Sequence, residues 1–310
     1  MSVLICGSFA YDTIMVFPGY FKNEILPDKV HILNVSFLVP ELRREFGGCA
    51  GNIAYNLHML GGSALPMGTV GHDFESYAKW MDACGITRKH VSEVPDTYTA
   101  QAYITTDLDD NQITAFHPGA MNHAHTQDIA TKGVKLGSVS PDGKAGMLLH
   151  ANQFAEAGIP FLFDPGQGMP MFSGDELKGF ITKASYLAVN DYEAEMLMAR
   201  CGWNIKQIAE HLDALIVTHG GKGSHIHAKG KVHKIPTAQA NSLADPTGCG
   251  DAYRGGLLYG ISKGMDWETA GRIASLMGAI KIERPGTQNH KISFDEFRER
   301  FKKEFRYDLG

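Results

Sequence analysis

The 310-residue chain is 44% hydrophobic and carries 34 acidic against 29 basic residues, a formal charge of −5. That composition can bury one large core with an appendage, and it offers no basic field for an extended nucleic-acid partner. Five cysteines (Cys6, Cys49, Cys84, Cys201, Cys249) without a Cys-x-x-Cys spacing argue against a disulfide framework or zinc ribbon and for a reducing compartment. No apolar run reaches the roughly 18 residues of a membrane span, and residues 1–6 lack a basic leader region, so a cytoplasmic protein without a membrane partner is expected.

Residues 3–6 read as a short apolar strand, followed by Gly7-Ser8-Phe9-Ala10-Tyr11-Asp12. Asp12 by itself reads as the end of that strand, although a carboxylate can accept two hydrogen bonds. Residues 13–46 read as extended pieces with turns at Pro18-Gly19 and Pro27-Asp28. Gly47-Gly48 then opens a helix in which Ile53, Leu57 and Leu60 keep helical spacing up to Gly61. The paired glycines let backbone approach a ligand, and Asn52 presents an amide from the helix start. Over residues 97–116, Ala100, Ala102 and Ile104 alternate with Gln101, Tyr103 and Thr105, the chain turns at Asp109-Asp110-Asn111, and residues 113–116 return as a β-hairpin. With the extended pieces of residues 14–46, that hairpin predicts a small sheet outside the main body.

Beyond residue 130, apolar strands alternate with helices and stop on polar residues: Asp164, Asn190 and Thr218. Uninterrupted apolar strands between helices indicate a parallel sheet covered on both faces, and such sheets bind ligands outside the carboxyl ends of their strands. The pairs His123/His125 and His225/His227 have no acidic or cysteine partners nearby in sequence and read as solvated histidines. Asn190 and Glu193 stand about one helical turn apart, which suits either a helix start or one water-coordinated ion. Thr218-His219-Gly220-Gly221-Lys222-Gly223 is, by spacing alone, a turn. In Asp245-Pro246-Thr247-Gly248-Cys249-Gly250-Asp251, small residues crowd amides around a helix start, where unpaired N–H groups and the helix dipole bind anions. Asp251 is a favoured N-cap, yet a plain cap does not require the flanking glycines. The chemical reading is a base that deprotonates a hydroxyl while the amides of Gly248, Cys249 and Gly250 stabilise a phosphoryl group in transfer. Ala270, Ile273, Ala274, Met277 and Ile280 stripe a core helix. Ser293 to Glu296 form a capping box at the start of a structural helix faced by Phe294, Phe297, Phe301 and Phe305.

Asp245 to Ala252 resembles the second signature of the ribokinase (PfkB-type) carbohydrate and nucleoside kinase family, with Cys249 where many members carry Ala. Gly47-Gly48-x-x-x-Asn52-x-Ala54 resembles the first signature, Asn190-x-x-Glu193 the family's Asn-x-x-Glu, and Thr218 to Gly223 its nucleotide loop. The motifs follow the family's order along nearly the whole chain. The resemblance implies an α/β, ribokinase-like three-layer α/β/α fold with a mostly parallel central sheet and a small β-sheet lid. Residues 1–13, 47–95 and 119–310 would form the large nucleotide-binding domain, and residues 14–46 and 96–118 the lid. It implies Asp251 as catalytic base with an anion hole at Gly248, Cys249 and Gly250. Ser8, Asp12, Gly47, Gly48, Asn52 and Gln101 would bind the acceptor; Asn190, Thr218, Gly220, Gly223 and Thr247 would bind ATP; Glu193 would serve Mg2+. ATP is the implied phosphate donor, and in several members K+ activates.

Asp164-Pro165-Gly166-Gln167 and Pro285-Gly286-Thr287-Gln288 resemble stretches of bacterial adenosine and nucleoside kinases, and the lid segment with Gln101 and residues 116–121 could offer stacking and amide contacts to a base. The expectation is therefore an ATP-dependent kinase acting on the 5′-hydroxyl of a purine or other nucleoside. A sugar kinase of the same family is the alternative, and Arg43 or Arg44 could even serve a phosphosugar. A silent nucleotide-binding protein is disfavoured by the intact Asp251, and a dinucleotide oxidoreductase by the missing Gly-x-Gly-x-x-Gly after the first strand. A monomer or homodimer is expected, the dimer preferred because a free lid edge can pair with a second copy.

Overall fold

The structure is a computed structural model that describes residues 1–32, 34–109 and 111–309, with the backbone alone at residues 28–30. Thirteen strands among them run β1 (Ser2–Cys6), β2 (Ala10–Val16), β3 (Glu41–Gly47), β4 (Ser63–Val70), β5 (His90–Glu93), β6 (Ala100–Thr106), β7 (Gln112–His117), β8 (Val134–Val139), β9 (Phe161–Phe163), β10 (Tyr186–Asn190), β11 (Ala214–Thr218), β12 (Ser224–Ala228) and β13 (Lys231–Ile235). Nine of them form the main sheet in the order β13-β12-β11-β10-β9-β8-β1-β4-β5. Every pair from β5 to β11 is parallel, and β12 and β13 add an antiparallel edge.

The uninterrupted apolar strands do what the pattern predicts, because successive side chains point to opposite faces. Val3 and Ile5 of β1 pack into the layer that holds the helices Cys49–Met59, Cys249–Ser262 and Trp267–Ile282. Leu4 and Cys6 pack into the other, with the helices Lys144–Glu156, Gly174–Ile181 and Asp191–Cys201. In the first layer the Cys249–Ser262 helix lies very close to both neighbours. A Cβ at Gly255 would come 2.6 Å from Asn56 Cβ, and one at Gly256 2.8 Å from Ala274 Cα. Such close contact seats the helix firmly between its two neighbouring helices. The predicted stripe on the Trp267–Ile282 helix is buried along its length, and Ser293 and Glu296 make the predicted capping box.

Strand order reverses direction at β1, whose neighbours are β8 and β4, so the carboxyl ends there open a crevice. Beside it stands the second sheet, in the order β3-β2-β6-β7, with β2 and β6 parallel and the outer pairs antiparallel. It includes the predicted hairpin; Asp110 of its turn lies outside the described residues. Between β2 and β3 the expected extended pieces are partly helical, at Phe21–Glu24 and Pro27–Ile32. Phe17 and Phe21, four apart, close around Phe37 with ring centroids 4.9 to 6.0 Å apart, and that knot coils the segment. Among the described residues no helix is long and apolar enough to cross a membrane.

Candidate active site

The turn before the Cys249–Ser262 helix is stapled from within. Asp245 Oδ1 accepts the Thr247 N–H at 2.9 Å, and Oδ2 accepts the Gly286 N–H at 2.9 Å. Gly248 then takes a left-handed conformation, φ 78°, that a side-chained residue adopts at a cost. The Cys249 N–H donates to Pro246 O at 3.1 Å, so this amide, one of the three expected in the anion hole, is engaged inside the turn. Among the described residues the N–H groups of Gly248, Gly250 and Asp251 make no hydrogen bond. These are the unpaired donors of a helix start, aimed into a site with the positive end of the helix dipole behind them.

Asp251 sits in the first turn of this helix, half-buried. Its Oδ2 accepts a hydrogen bond from Asn52 Nδ2 at 2.8 Å. Burial pushes its carboxyl above the usual range, while the Asn52 bond and the Arg254 charge pull it back. Asn52 is held in turn, since its Oδ1 accepts from Gln288 Nε2 at 3.0 Å and Gln288 Oε1 accepts from the Trp80 indole N–H at 2.9 Å. An indole N–H can only donate. It therefore fixes which end of the Gln288 amide faces Asn52, and thereby which end of Asn52 faces Asp251. Neither Trp80 nor Gln288 carries a sequence signal for this role, although Gln288 lies in a stretch quoted for its resemblance.

Asp12 of β2 pairs with Glu45 of β3 and Ala102 of β6, so all three side chains share one face of the small sheet. The carboxylate lies over Gly47, where a Cβ would come 2.5 Å from Asp12 Oδ2. Burial, and then the charges of Asp251, Glu45 and Asp245, push the Asp12 carboxyl up to about 6. The structure thus brings Asp12, Gly47, Asn52 and Asp251 together. Ser8 and Gly48 act one step back: Gly48 turns the chain at φ 86° into the helix that carries Asn52, and Ser8 Oγ accepts the Cys49 N–H at 3.3 Å. Gln101 is not brought to Asp12. It pairs with Tyr11 and so falls on the opposite face, its Nε2 donating to Asp73 at 3.0 Å and its Oε1 accepting from the Tyr103 hydroxyl at 2.6 Å. The strand's period of two puts it on the other face from Asp12.

Asn190 and Glu193 cap their helix reciprocally: Asn190 Oδ1 accepts the Glu193 N–H at 2.7 Å, and Glu193 Oε2 accepts the Asn190 N–H at 2.8 Å. Glu193 Oε2 also lies 3.9 Å from Arg254 Nη2. Arg254 is almost wholly buried, with Nε 2.5 Å from Asp164 Oδ2, Nη2 donating to Asp164 Oδ1 at 2.7 Å, and Nη1 donating to Gly250 O at 3.2 Å. Asp164 and Glu193 hold it firmly protonated. This side chain ties the anion-binding turn to the ends of β9 and β10, a role that residue spacing does not disclose. Thr218 ends β11 and leads into a tight loop where the His219 N–H donates to Gly223 O at 2.8 Å, and Gly220 and Gly223 take positive φ. Thr247 lies in the turn before Gly248. Among the described residues no three His, Cys, Asp or Glu side chains gather as a metal-binding set. An ion that keeps most of its waters and binds through phosphates and one carboxylate, as Mg2+ does, fits Glu193 without such a cluster.

The pattern of pfkB family carbohydrate kinases matches residues 14–293. A nucleoside kinase of Methanocaldococcus jannaschii is 34% identical over 293 residues, covering 91% of this chain and 93% of the relative. The solved structure of a Burkholderia thailandensis nucleoside kinase in complex with inosine superposes with a TM-score of 0.90 at 52% identity, covering 99% of both chains. The same enzyme in complex with ADP-inosine gives a TM-score of 0.88 at 54% identity, covering 99% of this chain and 97% of that one.

Proposed function

This chain belongs to the pfkB family of carbohydrate kinases and is an ATP-dependent nucleoside kinase, in which we propose that Asp251 is the catalytic base. The proton of the nucleoside's 5′-hydroxyl passes to Asp251 as that oxygen bonds to the γ-phosphorus. The bond from the γ-phosphorus to the bridging oxygen breaks, and ADP leaves. Asn52 holds one carboxylate oxygen in place, and the burial that raises Asp251 makes it a better proton acceptor than an exposed aspartate. The N–H groups of Gly248, Gly250 and Asp251 receive the phosphoryl oxygens. The observation that carries this assignment is the carboxylate of Asp251 standing in the same helical turn as three unpaired amides, fastened by an amide from the acceptor side.

Asp12 accepts ribose hydroxyls, and the small sheet that carries it closes over the acceptor as a lid, excluding water that would otherwise take the phosphoryl group. Asn190 and the loop from Thr218 to Gly223 line the nucleotide side. Glu193 is the carboxylate that would hold the hydration shell of Mg2+ bound with ATP, an ion that would supply neutralisation of phosphate charge.

The acceptor class follows from register. Phe116 of β7 pairs with Ala102, which pairs with Asp12, so all three lie in one row on one face. Phe116 is 53% exposed. Two strand spacings, about 10 Å, separate it from Asp12, roughly the reach from a ribose to the far side of a purine. Its ring offers a stacking face that a plain sugar would not use. ADP release from MgATP tests this against inosine, adenosine, cytidine, ribose and fructose. Turnover with nucleosides is expected, and Phe116→Ala should raise nucleoside KM without raising ATP KM. Turnover confined to ribose or fructose would overturn the acceptor assignment.

A further inference from the structure

Lys281 is a buried charge that the reaction scheme leaves without a task. It lies in the last turn of the Trp267–Ile282 helix and has no exposed surface. Its Nζ donates to Asp245 O at 2.6 Å and to Arg284 O at 3.3 Å. A lysine that merely finishes a helix bonds the last carbonyls of its own helix. Here the shorter bond crosses 36 residues to the turn that precedes Gly248. The same turn is gripped twice more, because Ile282 O accepts the N–H groups of Ala244 and Asp245 at 2.8 and 3.2 Å, and Asp245 Oδ2 accepts the Gly286 N–H. The segment that leads into the anion-binding turn and the loop that follows the Trp267–Ile282 helix thus converge on a single ammonium.

An ammonium removed from water carries a penalty of several kcal/mol, so an apolar side chain would serve a purely structural helix end better. Burial does lower the Lys281 ammonium's pKa, and the Asp245 carboxylate opposes that shift. Carbonyl oxygens facing a compact cation form a site that K+ or NH4+ would satisfy equally in charge and size.

We infer that Lys281 is a built-in monovalent cation: it holds the carbonyls of Asp245 and Arg284 together and fixes positive charge behind the turn that receives the phosphoryl group. It is a positioning residue, and the inference rests on the kinase assignment above. The wild-type enzyme then needs no added K+, and removal of the side chain creates a vacancy that a free cation can fill.

The test uses the full chain with inosine and MgATP in tetramethylammonium buffer, with and without K+ or NH4+. Wild-type kcat should stay within about twofold on adding either ion, whereas Lys281→Ala should lose about tenfold or more and recover a large part with NH4+ or K+. Lys281→Met, which fills the space without charge, should be equally slow and should not recover. Undiminished turnover in folded Lys281→Met, a wild-type enzyme that itself requires K+, or a folded Lys281→Ala deaf to both ions would each overturn the inference. If Lys281→Ala fails to fold, Lys281→Met decides alone: slow turnover in a folded protein supports the role. A wild-type protein that turns over no nucleoside at all would refute the kinase assignment instead.

Discussion

Asn52 Nδ2 donates to Asp251 Oδ2 at 2.8 Å, joining two helix starts 199 residues apart in sequence. On the proposed assignment one start belongs to the acceptor side of the crevice and the other to the phosphate side, so this single bond would register the base between its two substrates. Behind it the Trp80 indole and the Gln288 amide set the polarity of the whole chain of donors.

Gln288→Leu removes that control, and Asn52 can then present its oxygen to Asp251. One hydrogen bond of about 0.5–1.5 kcal/mol predicts a kcat loss of roughly two- to tenfold with ATP KM unchanged. Trp80→Phe should act in the same direction and more weakly. Steady-state kinetics on both variants check this, and an equal loss of ATP affinity would place the pair elsewhere.

Asp12, pushed up to about 6, predicts a pH dependence for acceptor binding. Above that pH it is a carboxylate, which on the proposed assignment accepts ribose hydroxyls; as pH falls through about 6 it takes a proton and loses that capacity. Nucleoside KM should therefore rise on acidification while ATP KM stays level. Asp12→Asn should show a raised, flat nucleoside KM over the same range, and a profile identical to wild type would remove Asp12 from the acceptor.

Asp142 is nearly fully buried, its Oδ1 accepting the Gly143 N–H at 2.9 Å while Oδ2 has no partner among the described residues. Burial pushes its carboxyl up to about 8. A raised carboxyl in the native state means that the folded protein binds the extra proton, so this group's contribution to stability falls between roughly pH 4 and 8, by at most about 1.4 kcal/mol per pH unit. Asp142→Asn mimics the protonated acid. Its Tm should match wild type near pH 4 and exceed it near pH 8, and a Tm below wild type at every pH would contradict the protonated assignment.

Arg254→Met should destabilise the protein by about 3–5 kcal/mol, because it leaves Asp164 buried without its partner. Urea unfolding measures this, and the double variant Arg254→Met/Asp164→Leu should recover part of the loss. A single variant as stable as wild type would show that Arg254 is dispensable to the fold.

Asp251, Asn52 and Asp12 were legible because glycine turns and helix starts are written in neighbouring residues. The strands were legible because a buried parallel sheet demands unbroken apolar runs. Trp80, Gln288, Arg254 and Lys281 were not, since their partners lie 208, 236, 90 and 36 residues away and only the fold juxtaposes them. The face that Gln101 takes was hidden for a related reason. Its alternation with Ala102 is plain, but only the pairing of β2 with β6 shows which of the two faces Asp12. Cys249 sits in the right turn, yet its N–H is engaged by Pro246, a bond invisible in a motif.

The most direct test is single-turnover phosphorylation of inosine by Asp251→Asn, with MgATP binding measured on the same sample. A general base contributes on the order of 10²-fold or more, so the chemical step should slow by at least that factor while ATP still binds. Phosphorylation at an undiminished rate would contradict Asp251 as the base and move that role to another carboxylate of the crevice.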